Sequence, residues 1–435
     1  MSFENIETTI ESLSHDGRGV TTCKNKTTFV SGALPTEKVV CKIIRTHRRY
    51  NEAQAINIIT AAPERTTPAC AHYGICGGCS MQHVNVHAQV QLKQQALLDQ
   101  LKHFGKVIPA EILPPIIGHP WGYRRKARLG VRYVTKKGKL LIGFREKFSN
   151  YLADIQACEV LHPSIGKHLV QLSTFIRSLS LYEQIPQIEI AVSDTVTALV
   201  IRHMASFTEA DLAALCQFGS NNHFHIYLQP SSADSVHKIW PKDQHELLSY
   251  FLPDYQLEMQ FHPLDFTQVN SEINREMIAQ AIKLLDPQPT DTILDLFCGL
   301  GNFTLPIARF AKHVVGVEGS TQMVARATAN AQHNNIHHAE FYAANLMEPS
   351  ETAPWLKNRY DKILLDPPRT GAKEIIPLIA NKFTQRIVYV SCNPATLARD
   401  AGELVYNHHY KLKKVGVINM FPHTSHIEAI ALFEK

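Results

Sequence analysis

Two residues near the C-terminal end could act as a nucleophile and a base. Cys392 directly follows the apolar run VYVS, and Glu428 stands in FPHTSHIEAIALFEK, just before the last predicted strand. A thiolate can add covalently to an electron-poor ring, and a carboxylate can then remove a proton so that the thiolate leaves. Cys298 is a rival nucleophile, but it stands inside a glycine turn, where we expect it to face a cofactor. The pair predicts covalent catalysis.

The segment DTILDLFCGLGN, residues 291–302, predicts a cofactor site. Its apolar strand ends in Gly299-x-Gly301 before a helix, which lets the backbone approach a ligand closely. The third glycine of a dinucleotide fingerprint is missing, and an acidic residue precedes the turn. This combination suits a cofactor that carries an ammonium group and no pyrophosphate.

Polar residues also end the strands that follow. Glu318 ends the run VVGV, where a carboxylate can accept hydrogen bonds from ribose hydroxyls. Asn345, at the end of the next run, could read an adenine edge, and Asp366 begins DPPR. Because parallel strands end at one edge of a sheet, these residues should share a crevice with Cys392.

Residues 272–435 have the strand–turn–helix rhythm that would position these side chains, with runs such as TILDLF, HVVGVEG, KILLDPP and RIVYVSC. This rhythm predicts a Rossmann-like, parallel, doubly wound α/β domain. Residues 1–62 alternate apolar and polar residues over short runs, which is typical of a small β-barrel. Residues 63–271 read as a central α+β domain, with helices over about 84–104, ending near Gly105, and over 162–180. The predicted class is multidomain α+β.

Four cysteines of the central part have the spacing of metal ligands. Cys70-x5-Cys76-x2-Cys79 forms a local group, and Cys158 offers a distant fourth thiolate. From spacing alone, a four-thiolate zinc site is as plausible as an iron–sulfur cluster. We do not expect a disulfide framework, because the start MSFENIETTIE lacks the features of a signal peptide and the cytosol is reducing.

Length and composition are typical of a globular protein with more than one domain. With 435 residues, 45% hydrophobic and 19% charged, the chain should form two or three globular domains. No apolar run approaches the roughly 18 residues that span a bilayer, so we expect a cytoplasmic protein with no membrane partner. No feature indicates an obligate protein partner.

Residues 121–140 carry eight Arg and Lys and no acidic residue, interleaved with Trp121, Tyr123 and Tyr133. Such a stretch could bind RNA phosphates and stack on unpaired bases, or it could be a solvated hairpin.

Four motifs together resemble the uracil-C5 RNA methyltransferase family: SCNPATLARD, FPHTSHIEAIALFEK, LDPPR and DFTQVN. The resemblance implies that Cys392 adds to C6 of a uracil, which turns the ring into an enolate able to attack a methyl group. It implies that Glu428 removes the C5 proton. It also implies that S-adenosylmethionine is bound by six residues: Gln268, Phe297, Asn302, Glu318, Asn345 and Asp366. Members of this family usually flip the target base out of the RNA.

The N-terminal half resembles one branch of this family. The segment PACAHYGICGGCSMQH is similar to the iron–sulfur motif of the bacterial 23S rRNA branch, which implies a [4Fe-4S] cluster on Cys70, Cys76, Cys79 and Cys158. The first 62 residues resemble a TRAM domain, an OB-like barrel that binds RNA, although Thr36 stands where such barrels commonly carry glycine. The resemblance therefore implies methylation of a uridine in 23S rRNA.

Several alternatives remain open at this point. The substrate could be a tRNA uridine, or a cytosine modified through the same adduct chemistry. Asp-Pro-Pro also occurs in enzymes that methylate exocyclic amines, although those usually place an aromatic residue where Arg369 stands. A non-catalytic, cluster-bearing RNA-binding assembly factor is the fourth alternative, and intact positions at Cys392 and Glu428 argue against it.

Overall fold

The computed structural model describes residues 5–14, 16–242, 247–380 and 384–435. It contains three sheets of six, six and eight strands and one two-stranded hairpin. No helix within the described ranges is long and apolar enough to cross a membrane.

The N-terminal sheet consists of short strands separated by turns, with the order β1-β5-β6-β4-β3-β2. Its alternating inward residues, such as Val30, Val39 and Ala53, form a small core. Thr36 has a φ of +70°, a region that favours glycine, so the local departure noted in the sequence falls on a strained turn. The strands are β1 (Asn5–Thr9), β2 (Ser12–Leu13), β3 (Gly19–Cys23), β4 (Lys26–Ser31), β5 (Lys38–Thr46) and β6 (Tyr50–Thr60).

This N-terminal unit also contacts remote parts of the chain. A Cβ added at Gly17 would lie 3.3 Å from Ser425 Cβ and 3.4 Å from Met81 Cγ. The connecting segment that follows β6 is anchored as well, because Arg65 Nη2 donates to the buried carboxylate of Glu37 at 2.7 Å. The N-terminal unit is therefore packed against the rest of the protein.

Helix α1 (Val86–Gln100) continues as a π-helix over Leu101–Gly105, which confirms the helix predicted over 84–104. The left-handed residue that ends it is Lys106, with a φ of +56°, and not the predicted Gly105. A Cβ at Gly105 would lie only 2.4 Å from the carbonyl oxygen of Ala398. Glycine is needed there because two backbones approach closely.

The central sheet has the order β13-β12-β11-β10-β8-β9 and carries helices against its core. Short strand β7 (Glu111–Ile112) precedes it and pairs elsewhere. The strands are β8 (Lys126–Val134), β9 (Lys139–Gly143), β10 (Gln187–Val192), β11 (Thr197–Arg202), β12 (Phe224–Gln229) and β13 (His237–Trp240). The helices are α2 (Pro163–Gly166), α3 (Leu169–Ser178) and α4 (Glu209–Asn222).

The basic stretch over 121–140 is less open to RNA than the sequence suggested. Tyr123 is buried and its hydroxyl donates to the carbonyl of Pro422 at 3.0 Å, while the ring of Trp121 stacks on His423 at 3.8 Å between centroids. Tyr123 is therefore not available to stack on bases, and one face of Trp121 is covered by His423. Several cations are also paired internally: Arg125 with Asp194, Arg128 with Glu189 and Lys139 with Asp154.

The C-terminal sheet has eight strands in the order β18-β17-β16-β19-β20-β22-β21-β7. A hairpin of β14 (Leu248–Leu252) and β15 (Leu257–Phe261) packs against its core. The strands are β16 (Thr292–Leu296), β17 (His313–Glu318), β18 (Ala339–Ala343), β19 (Lys362–Leu365), β20 (Arg386–Ser391), β21 (Lys411–Ile418) and β22 (Glu428–Glu434). The helices are α5 (Ser271–Leu285), α6 (Thr304–Ala308), α7 (Thr321–His333), α8 (Ile376–Ala380) and α9 (Pro394–Tyr406).

Apolar clusters cover both faces of this sheet, as expected for a doubly wound fold. The sheet is not wholly parallel, because β22 runs antiparallel between β20 and β21. Glu428 is the first residue of that strand and does not precede it as predicted. Strand β7 and helix α1 pack on the C-terminal unit although they precede residue 271. The domain boundaries after residues 62 and 271 therefore stay a prediction.

Candidate active site

A cavity of about 880 Å³ opens at the carboxyl ends of the C-terminal strands. It is lined by eleven of the twelve residues that the sequence singled out for catalysis, cofactor binding or metal binding: Cys70, Cys76, Cys79, Cys158, Gln268, Phe297, Glu318, Asn345, Asp366, Cys392 and Glu428. Asn302 is the residue that does not line it. The structure therefore brings the cysteine group and the sheet edge into one cavity, which no sequence motif predicted.

The turn after β16 is shaped by left-handed backbone. Phe297, Gly299 and Gly301 have φ values of +64°, +55° and +92°. For Phe297 this conformation is costly, and such strain is kept where surrounding structure holds it, often at ligand sites. The Phe297 amide donates to the carbonyl of Val317 at 2.8 Å, which fixes the turn against β17.

Glu318 braces the same turn from the end of β17. Its Oε2 accepts from the Gly299 amide at 3.1 Å, and its Oε1 accepts from the Ser320 amide at 3.1 Å. Each carboxylate oxygen keeps further lone pairs for a ligand. The arrangement suits two ribose hydroxyls, so these residues fit a nucleoside cofactor.

Asn302 lies behind the glycine turn. Its amide exchanges two hydrogen bonds with Asn274, Nδ2 to Oδ1 at 2.9 Å and the reverse at 3.0 Å. The hydroxyl of Tyr250 donates to the same Oδ1 at 2.8 Å. These hydrogen bonds connect the turn to α5 and to the β14–β15 hairpin. They indicate that Asn302 stabilises the turn from the side away from the cavity.

Asp295 is a second buried group beneath the turn. Its Oδ2 accepts from Thr304 Oγ1 at 2.5 Å, while its Oδ1 has no partner among the described residues. Burial and, to a smaller extent, the nearby charges of Asp366 and Glu318 together raise the pKa of Asp295 to about 8, although the hydrogen bond from Thr304 lowers it. A cation bound at this sheet edge would relieve the crowding of carboxyl groups.

The candidate nucleophile and base stand on adjacent strands. In the antiparallel pairing of β20 with β22, Ser391 is opposite Ala429. Continuing this register by one residue places Cys392 opposite Glu428, where Cα atoms of paired residues are about 4.5–5.5 Å apart. Two distant motifs thus meet at one point of the cavity.

Burial shifts the pKa of both groups. It raises the pKa of Cys392 to about 11, and the charges of Glu428 and Asp366 add to this while Arg369 opposes it. It raises the pKa of Glu428 to about 8, with Asp366 adding and Arg369 again opposing. Burial raises the pKa of Asp366 to about 7. Arg369 is therefore the cation of this site that favours both the thiolate and the carboxylate.

Arg369 and His426 are site residues that the sequence analysis did not assign. Arg369 Nη2 lies 2.9 Å from His426 Nδ1, and since a guanidinium only donates, Nδ1 accepts. Burial and the Arg369 charge lower the pKa of His426, which keeps the ring neutral for that role. Both residues lie within quoted motifs, and the alternation of Thr424, His426 and Glu428 along the cavity wall could have indicated His426.

The four cysteines form another wall of the cavity. Burial raises the pKa of Cys79 to about 12; Gln82 opposes this, and the charges of Cys158, Cys76 and Cys70 add to it. The amide of Gly78 donates to Cys76 Sγ at 3.4 Å. Thiols that repel one another as thiolates in this way suit a cationic group. Across the ranges that the structure describes, however, no set of three or more His, Cys, Asp or Glu is arranged to hold a metal ion.

The cavity rim also carries an exposed aromatic residue. Phe266, in the DFTQVN motif, is 70% exposed and lines the cavity near Gln268. An exposed ring beside a crevice is available to stack on a planar group.

Comparison with known proteins gives two family matches. A sequence model of the tRNA (uracil-5-)-methyltransferase family matches residues 191–435, and the TRAM domain matches residues 1–56. Among curated proteins, the 23S rRNA (uracil(1939)-C(5))-methyltransferase RlmD of Hahella chejuensis is 54% identical, covering 99% of this chain and 98% of that protein. The RlmD of Alcanivorax borkumensis is 50% identical, covering 98% and 96%.

Among solved structures, the fold is similar to that of the Pyrococcus abyssi tRNA (uracil-54, C5)-methyltransferase, determined in complex with S-adenosyl-L-homocysteine. The TM-score is 0.75 at 22% identity, covering 98% of this chain and 100% of that chain. At this identity the likeness establishes the fold alone. The family match over more than half of the chain and the high identity over nearly all of it show that the chain belongs to the tRNA (uracil-5-)-methyltransferase family.

Proposed function

We propose that the protein transfers a methyl group from S-adenosylmethionine to C5 of a uridine in 23S rRNA, the one equivalent to uracil 1939 in the names of its relatives. The observation that carries the proposal is that Cys392, directly after β20, and Glu428, the first residue of β22, line one cavity that is edged by the cofactor strand ends. A nucleophilic thiol and a base at one point are what a C5 methylation requires and what exocyclic-amine methylation does not.

The bond changes follow from this pair. The thiolate sulfur of Cys392 bonds to C6, and the electrons of the C5–C6 double bond move towards the C4 carbonyl. C5 then bonds to the donated methyl group as the bond between that methyl group and the donor sulfur breaks and its electron pair stays on the sulfur. The carboxylate of Glu428 takes the C5 proton, the double bond re-forms, and the thiolate of Cys392 leaves.

S-adenosylmethionine, when bound, supplies an activated methyl group and a positive charge. Glu318 would hold its ribose and Asn345 its adenine, with Phe297 and Asp366 completing the pocket. Arg369 favours the Cys392 thiolate against burial and the neighbouring carboxyl groups. Gln268 would lie beside the cofactor, because it lines the cavity. The predicted cofactor contact of Asn302 stays a prediction, and its hydrogen bonds go to Asn274 and Tyr250.

The proposal includes a [4Fe-4S] cluster held by Cys70, Cys76, Cys79 and Cys158. Its support is the shared cavity wall and the mutual repulsion of these thiols as thiolates. The cluster would brace the central part against the active site, and no catalytic step passes through it. A substrate in ribosomal RNA also makes a cytoplasmic location part of the proposal.

The testing experiment uses anaerobically purified protein, labelled S-adenosylmethionine and 23S rRNA carrying 5-fluorouridine. Fluorine at C5 cannot leave as a proton, so the adduct is trapped and is seen on a denaturing gel. We expect a covalent complex that is lost in Cys392→Ala, while that variant still binds S-adenosylmethionine.

Two outcomes would contradict the proposal. Methylation of ordinary rRNA without any trapped complex would favour an exocyclic-amine reaction. A complex formed with tRNA and not with 23S rRNA would keep the chemistry and change the substrate.

A further inference from the structure

The loop that leads into Glu428, here called the base loop (residues 419–427), connects β21 to β22. Phe421, Thr424 and His426 line the cavity, as does Glu428 directly after the loop. Four residues of the loop hydrogen-bond to a segment far away in sequence, residues 80–93. These contacts indicate that this segment sets the course of the base loop.

Lys93 makes the first set of these contacts. Its side chain is buried at 2% exposure, and its Nζ donates to Asn419 Oδ1 at 2.9 Å and to the carbonyl of Phe421 at 3.0 Å. A buried ammonium held by two uncharged acceptors is expensive, and burial lowers the pKa of Lys93 to about 7. A buried charge that faces no opposite charge lowers the stability of the folded protein. Stability alone therefore gives little reason for a lysine here.

Gln89, one turn earlier on α1, makes the second set. It is fully buried, and its Nε2 donates to the carbonyls of Met81 at 3.0 Å and Val84 at 2.8 Å. Its Oε1 accepts from the amide of His423 at 2.8 Å. One amide side chain thus joins the segment after the cysteines to the middle of the base loop.

The residues after Cys79 add backbone contacts. The amides of Ser80 and Met81 both donate to the carbonyl of His423 at 2.9 Å, and Ser80 Oγ accepts from the amide of Ser425 at 2.9 Å. Positions 419, 421, 423 and 425 of the base loop are therefore all tied to residues 80–93. Every one of these partners lies outside the C-terminal sheet domain.

We infer that Lys93 and Gln89 are positioning residues that hold the base loop so that Glu428 meets the C5 proton. The inference rests on the proposed function, because proton removal is the task of Glu428 there. A shift of about 1 Å in a reacting group can cost roughly 10²-fold in rate. Cys392 and the cofactor strand ends make none of these contacts. Loss of the contacts from Lys93 and Gln89 should therefore slow only the removal of the C5 proton and the release of Cys392.

The test compares Lys93→Met with the wild type and with a matched control, Lys102→Met, which removes an exposed lysine from the π-helix that continues α1. All proteins are full-length and anaerobic. For Lys93→Met we expect kcat to fall roughly 10- to 100-fold, with KM for rRNA and affinity for S-adenosylmethionine within about twofold. We also expect a covalent adduct to accumulate on ordinary, unfluorinated rRNA, because methylated product cannot leave Cys392. Lys102→Met should match the wild type.

A Lys93→Met protein that binds S-adenosylmethionine and turns over at the wild-type rate would overturn the inference. So would a lower kcat without accumulated adduct, since that indicates a merely structural defect. Should Lys93→Met fail to fold, Gln89→Met is judged by the same readouts. The wild type on 5-fluorouridine rRNA separates the two hypotheses: absence of its trapped complex counts against the proposed function, whereas a trapped complex with unaffected variants counts against the positioning role.

Discussion

The two sides of the active-site cavity are built in different ways. On the cofactor side, the turn after β16, Glu318 at the end of β17 and Asp366 after β19 are held by their own strands and by hydrogen bonds within one domain. On the base side, the loop before Glu428 makes hydrogen bonds with residues 80–93, Tyr123 and Arg369, and Gly17 lies close to its Ser425. The cofactor side is thus local to one domain, and the base side is assembled from three parts of the chain.

Under the proposed function, this difference links the proton-removal step to parts of the chain outside the C-terminal sheet. A methyltransferase domain of this kind can form its cofactor pocket from its own sheet. Under the proposed function, the position of the base Glu428 also depends on contacts with the N-terminal unit, the segment after the cysteines and helix α1. Substitutions on the two sides should therefore separate cofactor affinity from the proton-removal step.

The largest effect is expected for Glu428→Gln. Removing the base should lower turnover by roughly 10²- to 10⁴-fold, while adduct formation and methyl transfer continue. Gel analysis with ordinary rRNA should show an accumulated covalent complex, and S-adenosylmethionine affinity should stay near that of the wild type. Turnover close to the wild-type rate would assign proton removal to another group.

Glu318→Gln should show the opposite pattern. The substitution removes the negative charge of the carboxylate that accepts hydrogen bonds from the Gly299 and Ser320 amides. We expect it to weaken S-adenosylmethionine binding by roughly 10- to 100-fold. At saturating cofactor, kcat should change little, as calorimetry and steady-state kinetics would show. Glu340→Gln, in neighbouring strand β18 with a half-exposed side chain, is the matched control. A fall in kcat with unchanged affinity would contradict the division between the two sides.

The stability of the protein should depend on pH through Glu428. Burial raises its pKa from 4.5 to about 8 in the folded state, so between these values the folded protein holds a proton that the unfolded chain has lost. Stability from this group is therefore present at low pH and is lost as pH rises to about 8. Glu428→Gln should be more stable than the wild type by roughly 1–3 kcal/mol at pH 8.5 and by much less at pH 5.

Thermal unfolding of both proteins across this range measures the difference. Asp366 and Asp295 have raised pKa values in both proteins, so their contributions largely cancel in the comparison. A constant difference from pH 5 to pH 8.5 would show that Glu428 titrates normally in the folded protein.

The smallest effect is expected for Gly17→Ala. Gly17 has a φ of +80°, and its new Cβ would press on Ser425 and Met81. We expect kcat to fall a few-fold and cofactor affinity to stay unchanged, at a stability cost of about 1 kcal/mol. Gly32→Ala, with a φ of +82° and open space around the new Cβ, supplies the same backbone strain without the contact. Equal kcat values for the two variants would show that the contact between Gly17 and the base loop does not affect turnover.

The local features of the cofactor side could be predicted from the sequence. Strand ends at Phe297, Glu318 and Asp366 follow from apolar runs and a glycine turn, and the structure confirms their common edge. The position of Glu428 within the sheet could not be predicted, because antiparallel insertion of β22 depends on pairing with strands already formed. Gln89 and Lys93 were missed because polar residues on a helix are normally exposed.

The cysteine group and the aromatic residues show the same limit. Spacing predicted a ligand set, but the topology of the central part could not be drawn, so its position beside Cys392 was not foreseen. The sequence left open whether Tyr123 stacks on bases, and the structure shows its ring buried within the protein, where its hydroxyl donates to the carbonyl of Pro422. The binding roles of the individual residues stay predictions.

The position of β22 in the sheet has a consequence for the order in which parts of the protein fold during synthesis. It inserts between β20 and β21, which both precede it, and the partner of β21 on its other side is β7, at residues 111–112. At about 5–20 residues per second, β7 emerges from the ribosome roughly 15–60 s before β22. Before β22 is synthesised, there is therefore time for the folding of the N-terminal unit, the cysteine segment and α1. Glu428, the proposed base, is therefore positioned by a strand that is synthesised after the segments that hold its loop, so proton removal is the last part of the proposed reaction to become possible as the chain is made.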